Sequence, residues 1–342
     1  MVARVRQSDI ARRAQVSQTA VSLVINEKAR QYGISADTEQ RIQDAIAELG
    51  YAPDVRAQAL RGNRRGLIGV HTFEPLFPTG PDHYYYDFLV GIEQQATEAG
   101  QDLALITSAH QHGHDQSIWR GGTNRLRIAD GAVILGFHEY DEELAELARQ
   151  RFPFVFIGRR QKAAKLMPYV APDYAGGVTR TVDLIAEYGH RRVCYVGSPN
   201  RTQPRTERLT TFTKACRRSK ITCDTPQLLQ PRSLTAAWAT SVLRDGVSAV
   251  VVESNRHVEE IGTACAAAGI DIPGELSVIC LDSLRYQSSR PWTHMQTPGR
   301  DLGARSVDIL MGLLSGHLRR DYHELVDCPI ESGTTLAPPP TP

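Results

Sequence analysis

Gln18, Thr19 and Ser22 are the side chains whose spacing first suggests chemistry. A carboxamide and two hydroxyls each donate and accept hydrogen bonds, which suits them to reading the polar edges of another molecule. At i, i+1 and i+4 they share one face of a helix, while Val21, Val24 and Ile25 share the other. Motifs of bond-making chemistry are absent: there is no GxxxxGK[ST] phosphate loop, no GxSxG nucleophile turn and no GxGxxG after a strand-like run. His110, His112 and His114 alternate in a Gly- and Gln-rich stretch without an accompanying carboxylate or cysteine pattern, so neither a metal nor a cofactor is expected.

The polar face needs a scaffold, and the first fifty residues supply one. Gln7–Ala14 reads as a short helix with Ile10, Ala11 and Ala14 on one side. A turn at Gln15-Val16 leads to Ser17, a favoured N-cap, and to the second helix, Gln18–Asn26. A third helix runs from Asp37 to Leu49, with Ile42, Ala45, Ile46 and Leu49 at i, i+3, i+4 and i+7, Ser35 as cap and Gly50 as stop. Two short helices joined by a tight turn, the second with a polar outer face, form a helix-turn-helix, the unit that enters a DNA major groove. The charge agrees. The first 65 residues hold 11 Lys and Arg against 7 Asp and Glu, a net +4, whereas the whole chain of 342 residues carries +1.

The run from Ser8 to Ser22 resembles the headpiece of the lac-repressor (LacI/GalR) family of bacterial transcription regulators. So do Asn26, Thr38-x-x-Arg41-Ile42 and Leu49-Gly50-Tyr51-x-Pro53. The resemblance implies Gln18, Thr19 and Ser22 in the major groove and Ser17 and Asn26 on phosphates. It makes Pro53–Arg61 a hinge helix that orders on DNA beside its dimer mate, with Ala57 and Leu60 as contacts and Leu60 as the minor-groove wedge. Alone in water so short a helix is marginal. The chain departs from the family at Gln15, where Gly is usual, at Arg6, at Leu23, which replaces a basic residue, and at Asp54.

From Leu67 onward, apolar runs alternate with longer amphipathic stretches. The strand-like runs are Leu67–Thr72, Leu103–Thr107, Ala132–Leu135, Phe154–Ile157, Val193–Val196, Ala249–Val252 and Leu276–Cys280. The helical stretches include Tyr85–Ala99, Glu142–Gln150, Gly176–Tyr188, Arg205–Arg218 and Val258–Ala268. Such alternation predicts parallel sheets in two open α/β lobes, with a ligand between them at the C-terminal ends of the strands. The same region resembles the family's periplasmic-binding-protein-like core through Phe152-Pro153-x-Val155-x-Ile157-Gly158-Arg159, Gly189-His190-Arg191-Arg192-Val193, Gly269-Ile270-x-Ile272-Pro273 and Pro291-x-Thr293.

That resemblance implies an effector site at Arg208, Asn255 and Asp282, with Phe73 and Glu74 after the first strand. A planar donor fork, an amide and a carboxylate suit the vicinal hydroxyls of a sugar. Arg256 stands where the family often has Asp, which suggests an effector bearing a phosphate or carboxylate. Tyr84-Tyr85-Tyr86 and Trp119 suit either stacking on a ring or core packing.

The expected fold class is an N-terminal all-α three-helix helix-turn-helix headpiece with a hinge helix, followed by a C-terminal α/β two-lobe periplasmic-binding-protein-like core with parallel sheets. The expected divisions are 1–52 headpiece, 53–66 hinge and linker, 67–335 core and 336–342 disordered tail. The expected partners are double-stranded DNA with a pseudo-palindromic operator, a small-molecule effector and a second copy of the chain. No apolar run is long enough to span a membrane, and the sequence opens without a signal-peptide core, so a cytoplasmic protein is expected. The six cysteines include no CxxC pair and are expected to be reduced. A sugar receptor without DNA function is the rival reading.

Overall fold

The structure is a computed structural model that describes residues 5–26, 28–51, 65–74, 84–107, 117–136, 140–160, 167–230, 232–284 and 290–340. It divides into two compact units, Met1–Arg65 and Gly66–Pro342. The hinge stretch with Ala57 and Leu60, and the three histidines at 110, 112 and 114, lie outside the described residues.

The first unit is built on helices α1 (Gln7–Ala14), α2 (Gln18–Ile25) and α3 (Ala36–Leu49). Ser17 Oγ accepts from the Ala20 amide at 3.1 Å and Ser35 Oγ from the Thr38 amide at 3.3 Å, so both hydroxyls satisfy orphan donors of a first turn. Gly50 closes α3 in the left-handed conformation. Ile10, Val21 and Ile42, one from each helix, are fully buried at the centre of the small core. Arg41 braces α3 against α1, donating through Nη1 to the Ala14 carbonyl at 3.2 Å. Between α1 and α2 the chain turns at Gln15, whose φ of 54° lies in the left-handed region. A side chain pays about 1–2 kcal/mol there that glycine avoids, which gives the family's usual residue a physical reason.

The second unit holds two parallel sheets. The six-stranded sheet has the order β14-β7-β6-β5-β1-β2, where β1 is Leu67–Thr72, β2 Asp102–Leu105, β5 Gly131–Leu135, β6 Phe154–Ile157, β7 Tyr169–Pro172 and β14 His323–Val326. A small ribbon, β3 (Trp119–Arg120) with β4 (Thr123–Asn124), stands apart from it. The second sheet runs β10-β8-β11-β12-β13-β15, from β8 (Arg192–Gly197), β10 (Gln227–Leu228), β11 (Ala249–Val252), β12 (Ser277–Cys280), β13 (Thr293–Met295) and β15 (Ile330–Glu331). There β9 (Thr222–Cys223) also pairs with β8, and only β15 runs antiparallel.

Both central strand sets are buried on two faces, as helix-covered parallel sheets must be. Val133, Val155 and Val170 face α4 (Tyr86–Glu98) and α10 (Gly299–Ser315), while Ile134, Phe154 and Phe156 face α5 (Asp141–Arg149). In the second lobe Val250, Val252 and Val278 pack under α8 (Ala236–Arg244) and α9 (Asn255–Ala268). Val251 and Ile279 pack under α6 (Tyr174–Glu187) and α7 (Gln203–Arg218).

The chain passes between the sheets three times, after β7, after β13 and after β14. Each lobe is therefore assembled from separate stretches, and α10 returns to the first lobe to lie on α4. The two helices touch through glycines. A Cβ on Gly91 would stand 2.0 Å from the Arg300 carbonyl oxygen, and one on Gly303 2.2 Å from that of Phe88.

The structure corrects the expectation of a disordered tail for residues 336–340. Val278 N donates to the Thr335 carbonyl at 2.8 Å, Ala337 N donates to Ser277 Oγ at 3.1 Å, and Leu336 packs against the second lobe's core. The prolines rule out a helix, as expected, but not an extended segment tied to a sheet. No helix among the described residues is long and apolar enough to cross a membrane. All six cysteines are free thiols.

Two stability measurements check this account. Gln15→Gly is expected to stabilise the headpiece by about 1 kcal/mol in thermal unfolding of the isolated headpiece transition. Thr335 is fully buried, donates to the Val278 carbonyl at 2.7 Å and accepts from the Thr293 amide at 2.9 Å. Thr335→Val strands both partners and is expected to destabilise the core by about 1–3 kcal/mol in urea unfolding.

Candidate nucleic-acid interface and effector cleft

In the first unit, the packing of Val21 and Val24 inward turns the start of α2 outward. Ser17, Gln18 and Thr19 are exposed, and Ser22 and Asn26 are half-buried. Asn26 Nδ2 donates to the Ser22 carbonyl at 2.6 Å, so its amide closes the helix end as well as bordering the polar face. Leu23 is half-buried rather than fully presented. A short helix with its N-terminal amide and hydroxyl side chains exposed has the form of a recognition helix.

In the second unit, a cleft of about 650 Å³, open to solvent, lies at the C-terminal ends of β5, β6 and β7. The first lobe contributes Tyr84, Tyr85 and Phe88, the strand ends Leu135-Gly136 and Ile157-Gly158, and the arginines Arg159 and Arg160. The opposite wall is Tyr174 with Gln203, Pro204 and Glu207 from the first turns of α7. Aromatic faces thus surround a few polar groups, the usual make-up of a small-molecule site. Arg159 Nη2 meets Glu207 Oε1 at 3.0 Å across the cleft. Burial pushes the Glu207 carboxyl up from its ordinary pKa, with Asp173 adding to the rise and Arg159 opposing it. Arg160 is buried, donates through Nη2 to the Gly136 carbonyl at 2.8 Å and lies over the Phe156 ring.

The five residues expected to bind an effector surround this cleft without lining it. Phe73 is buried and stacks on Tyr140 with ring centroids 4.1 Å apart. Glu74 accepts from the Tyr85 hydroxyl at 2.5 Å, and burial followed by Glu74 holds that phenol well above its ordinary pKa. Arg208 is buried and donates through Nη1 to the carbonyls of Glu253 at 3.1 Å and Leu281 at 2.6 Å, with its guanidinium over the Tyr174 ring. Asn255 Nδ2 donates to the Ser283 carbonyl at 3.2 Å, and Asp282 Oδ1 accepts from the Ser283 amide at 3.0 Å. Arg208 and Asn255 therefore lace the ends of β11 and β12 together. Arg256 is exposed in the first turn of α9 and lines no part of the cleft. Of the aromatic run, Tyr84 and Tyr85 line the cleft, whereas Tyr86 is exposed and Trp119 packs against the first lobe's core.

Sequence reasoning passed over Glu253, the charged group that positions one wall. It is fully buried at the end of β11. Its carboxylate accepts from the Tyr195 hydroxyl at 2.7 Å, the Ser198 amide at 3.0 Å and Arg201 Nη1 at 2.6 Å. Arg201 in turn donates to the Arg205 carbonyl in α7. The loop into α7 is thereby held over the strand ends, and Pro204 in the first turn suits the start of a helix. The signal available in the sequence was position: an acid directly after an apolar strand run, where a cleft opens.

A helix-turn-helix unit joined in one chain to a two-lobed parallel core defines a helix-turn-helix regulator with a periplasmic-binding-protein-like body. Residues 8–54 match the model of bacterial regulatory proteins of the lacI family, and residues 182–335 match the periplasmic binding protein-like domain. The chain carries a LacI-family DNA-binding domain and a periplasmic binding protein-like domain. It is 25% identical to the HTH-type transcriptional regulator DegA of Bacillus subtilis over 86% of this chain and 87% of the relative. It is 26% identical to the HTH-type transcriptional regulator Rv3575c of Mycobacterium tuberculosis over 97% of both. Among solved structures, the lac repressor dimer bound to operator and the anti-inducer ONPF shares the fold with a TM-score of 0.75 at 20% identity, over 97% of this chain and 99% of that one.

Glu253→Gln keeps the shape but removes the charge that holds Arg201. Because Arg201 retains partial access to water, the expected loss is about 2–3 kcal/mol, read as a lower urea midpoint for the core with the headpiece transition unchanged.

Proposed function

We propose that this protein is a sequence-specific DNA-binding transcriptional repressor whose operator affinity is set by a small molecule, a sugar or sugar derivative, bound in the cleft between the core lobes. The observation that carries the DNA half is the exposed start of α2. Gln18 and Thr19 point away from a core that Val21 and Val24 fill, and both amide and hydroxyl groups can pair with base edges. Ser22 borders the same face. Ser17 and Asn26 contact phosphates, and Ala57 and Leu60 meet the minor groove. DNA affinity comes mainly from phosphate contacts, and target choice from the few base contacts.

The effector half is supported by the aromatic walls and by the pairing of guanidinium and carboxylate groups in one cleft. One relative of known structure, with a TM-score of 0.61 at 21% identity over 97% of this chain and all of that one, is the transcriptional regulator CelR in complex with cellobiose. Phe73, Glu74, Arg208, Asn255 and Asp282 act on the effector by shaping the strand ends around it. Arg256, exposed and outside the cleft lining, gives an anionic effector no support; the cations of the cleft are Arg159 and Arg160. A headpiece this small makes few contacts alone, so the working unit is a homodimer on a pseudo-palindrome, acting in the cytoplasm. Effector binding changes lobe closure and with it the spacing of the two hinges, a coupling of about 1–3 kcal/mol.

Selection of random DNA by the purified protein, repeated with neutral and anionic sugars, tests the proposal. A palindromic site whose retention changes with one sugar is expected; no enrichment at low salt contradicts it. On the selected site Gln18→Ala and Thr19→Ala are each expected to weaken binding roughly 10–100-fold, with the salt dependence unchanged.

A further inference from the structure

The Arg159–Glu207 pair joins the two lobes directly. Arg159 follows β6 in the first lobe, beyond the Gly158 bend, and Glu207 lies one turn into α7 of the second. Both line the cleft, and both are partly shielded, with side-chain exposures of 36% and 19%. Among the described residues, the other salt bridges of the core join groups within a lobe or at the crossover after β14. Each end is set on a rigid base. Arg159 extends from a fully buried strand, and Glu207 rides on the helix that buried Glu253 fixes through Arg201. A partly desolvated pair held from two rigid sides loses less to side-chain entropy than a surface pair between flexible side chains.

We propose that Arg159 and Glu207 form an interlobe latch that holds the two lobes together across the cleft and selects what can part them. This rests on the cleft being the effector site. A ligand that parts the two groups must satisfy both a five-donor fork and a carboxylate acceptor. A neutral polyhydroxylated ring does so with its own donors and acceptors. An anion serves Arg159 but leaves Glu207 facing like charge, and an apolar ligand leaves both partners stranded. The latch therefore favours neutral hydroxylated ligands over sugar acids and sugar phosphates. This departs from the anionic effector that Arg256 suggested.

Hydrogen–deuterium exchange of the ligand-free full chain tests the latch without knowledge of the ligand. Arg159→Glu is expected to raise exchange about tenfold in the segments 154–160 and 203–210, which corresponds to about 1.4 kcal/mol. Exchange in β11 and in the headpiece stays unchanged. The double variant Arg159→Glu with Glu207→Arg restores the wild-type pattern, and high salt acts on the wild type as Arg159→Glu does. Uniformly raised exchange in the single variant that the swap fails to reverse marks a structural role only and overturns the proposal. So does unchanged exchange in the cleft segments. Should the latch behave as expected while no sugar alters DNA retention, the latch stands and the effector reading falls.

Discussion

The core depends on how buried parallel strands end. Strands covered on both faces run their polar backbone into a cleft, and every carbonyl and carboxylate there must find a partner. In the second lobe one knot meets that demand. Arg208 takes the carbonyls of Glu253 and Leu281, and the Glu253 carboxylate takes Tyr195, Ser198 and Arg201. Because α7 carries Arg208 and receives Arg201's hydrogen bond, the knot that satisfies the strand ends also fixes the wall that faces the first lobe. Binding geometry and folding stability share the same side chains.

The lobes are joined by three crossings of the chain rather than one. Such a connection favours opening and closing about the crossings, and the crossing after β7 itself forms part of the cleft floor through Ala171, Pro172 and Tyr174. The polar pair across the cleft and the aromatic walls then act on a single coordinate. A ligand changes the balance of that coordinate only through contacts that differ between its two positions.

Much of this was legible in the sequence where local rules decide the outcome. The α2 start at Ser17, the α3 stop at Gly50 and the strands at Leu67–Thr72, Phe154–Ile157 and Ala249–Val252 fall where caps, glycine and apolar runs placed them. The third helix begins one residue earlier than expected, at Ala36. Helix α10 is hard to read in the sequence because Gly299, Gly303 and Gly312 lower its helix propensity, and at Gly299 and Gly303 the missing side chains let it approach α4. Strand β14 was missed because it is short and lies at a sheet edge, paired with β7 through a return of the chain that no local pattern encodes. The cleft has the same origin. Its walls come from residues 84–88, 135–136, 156–160, 171–174 and 203–207, which only the topology assembles. Family resemblance pointed to Arg208, Asn255 and Asp282; Arg208 and Asn255 brace the strand ends beside the cavity, and Asp282 accepts from the neighbouring Ser283 amide.

Coupling between cleft and DNA is the central claim, and thermodynamic reciprocity gives its most direct measurement. Once a sugar and an operator are in hand, the sugar is titrated by calorimetry into the free protein and into the operator complex. The account predicts two affinities that differ by the same factor by which the sugar changes operator affinity. Equal sugar affinities in the two titrations would contradict it.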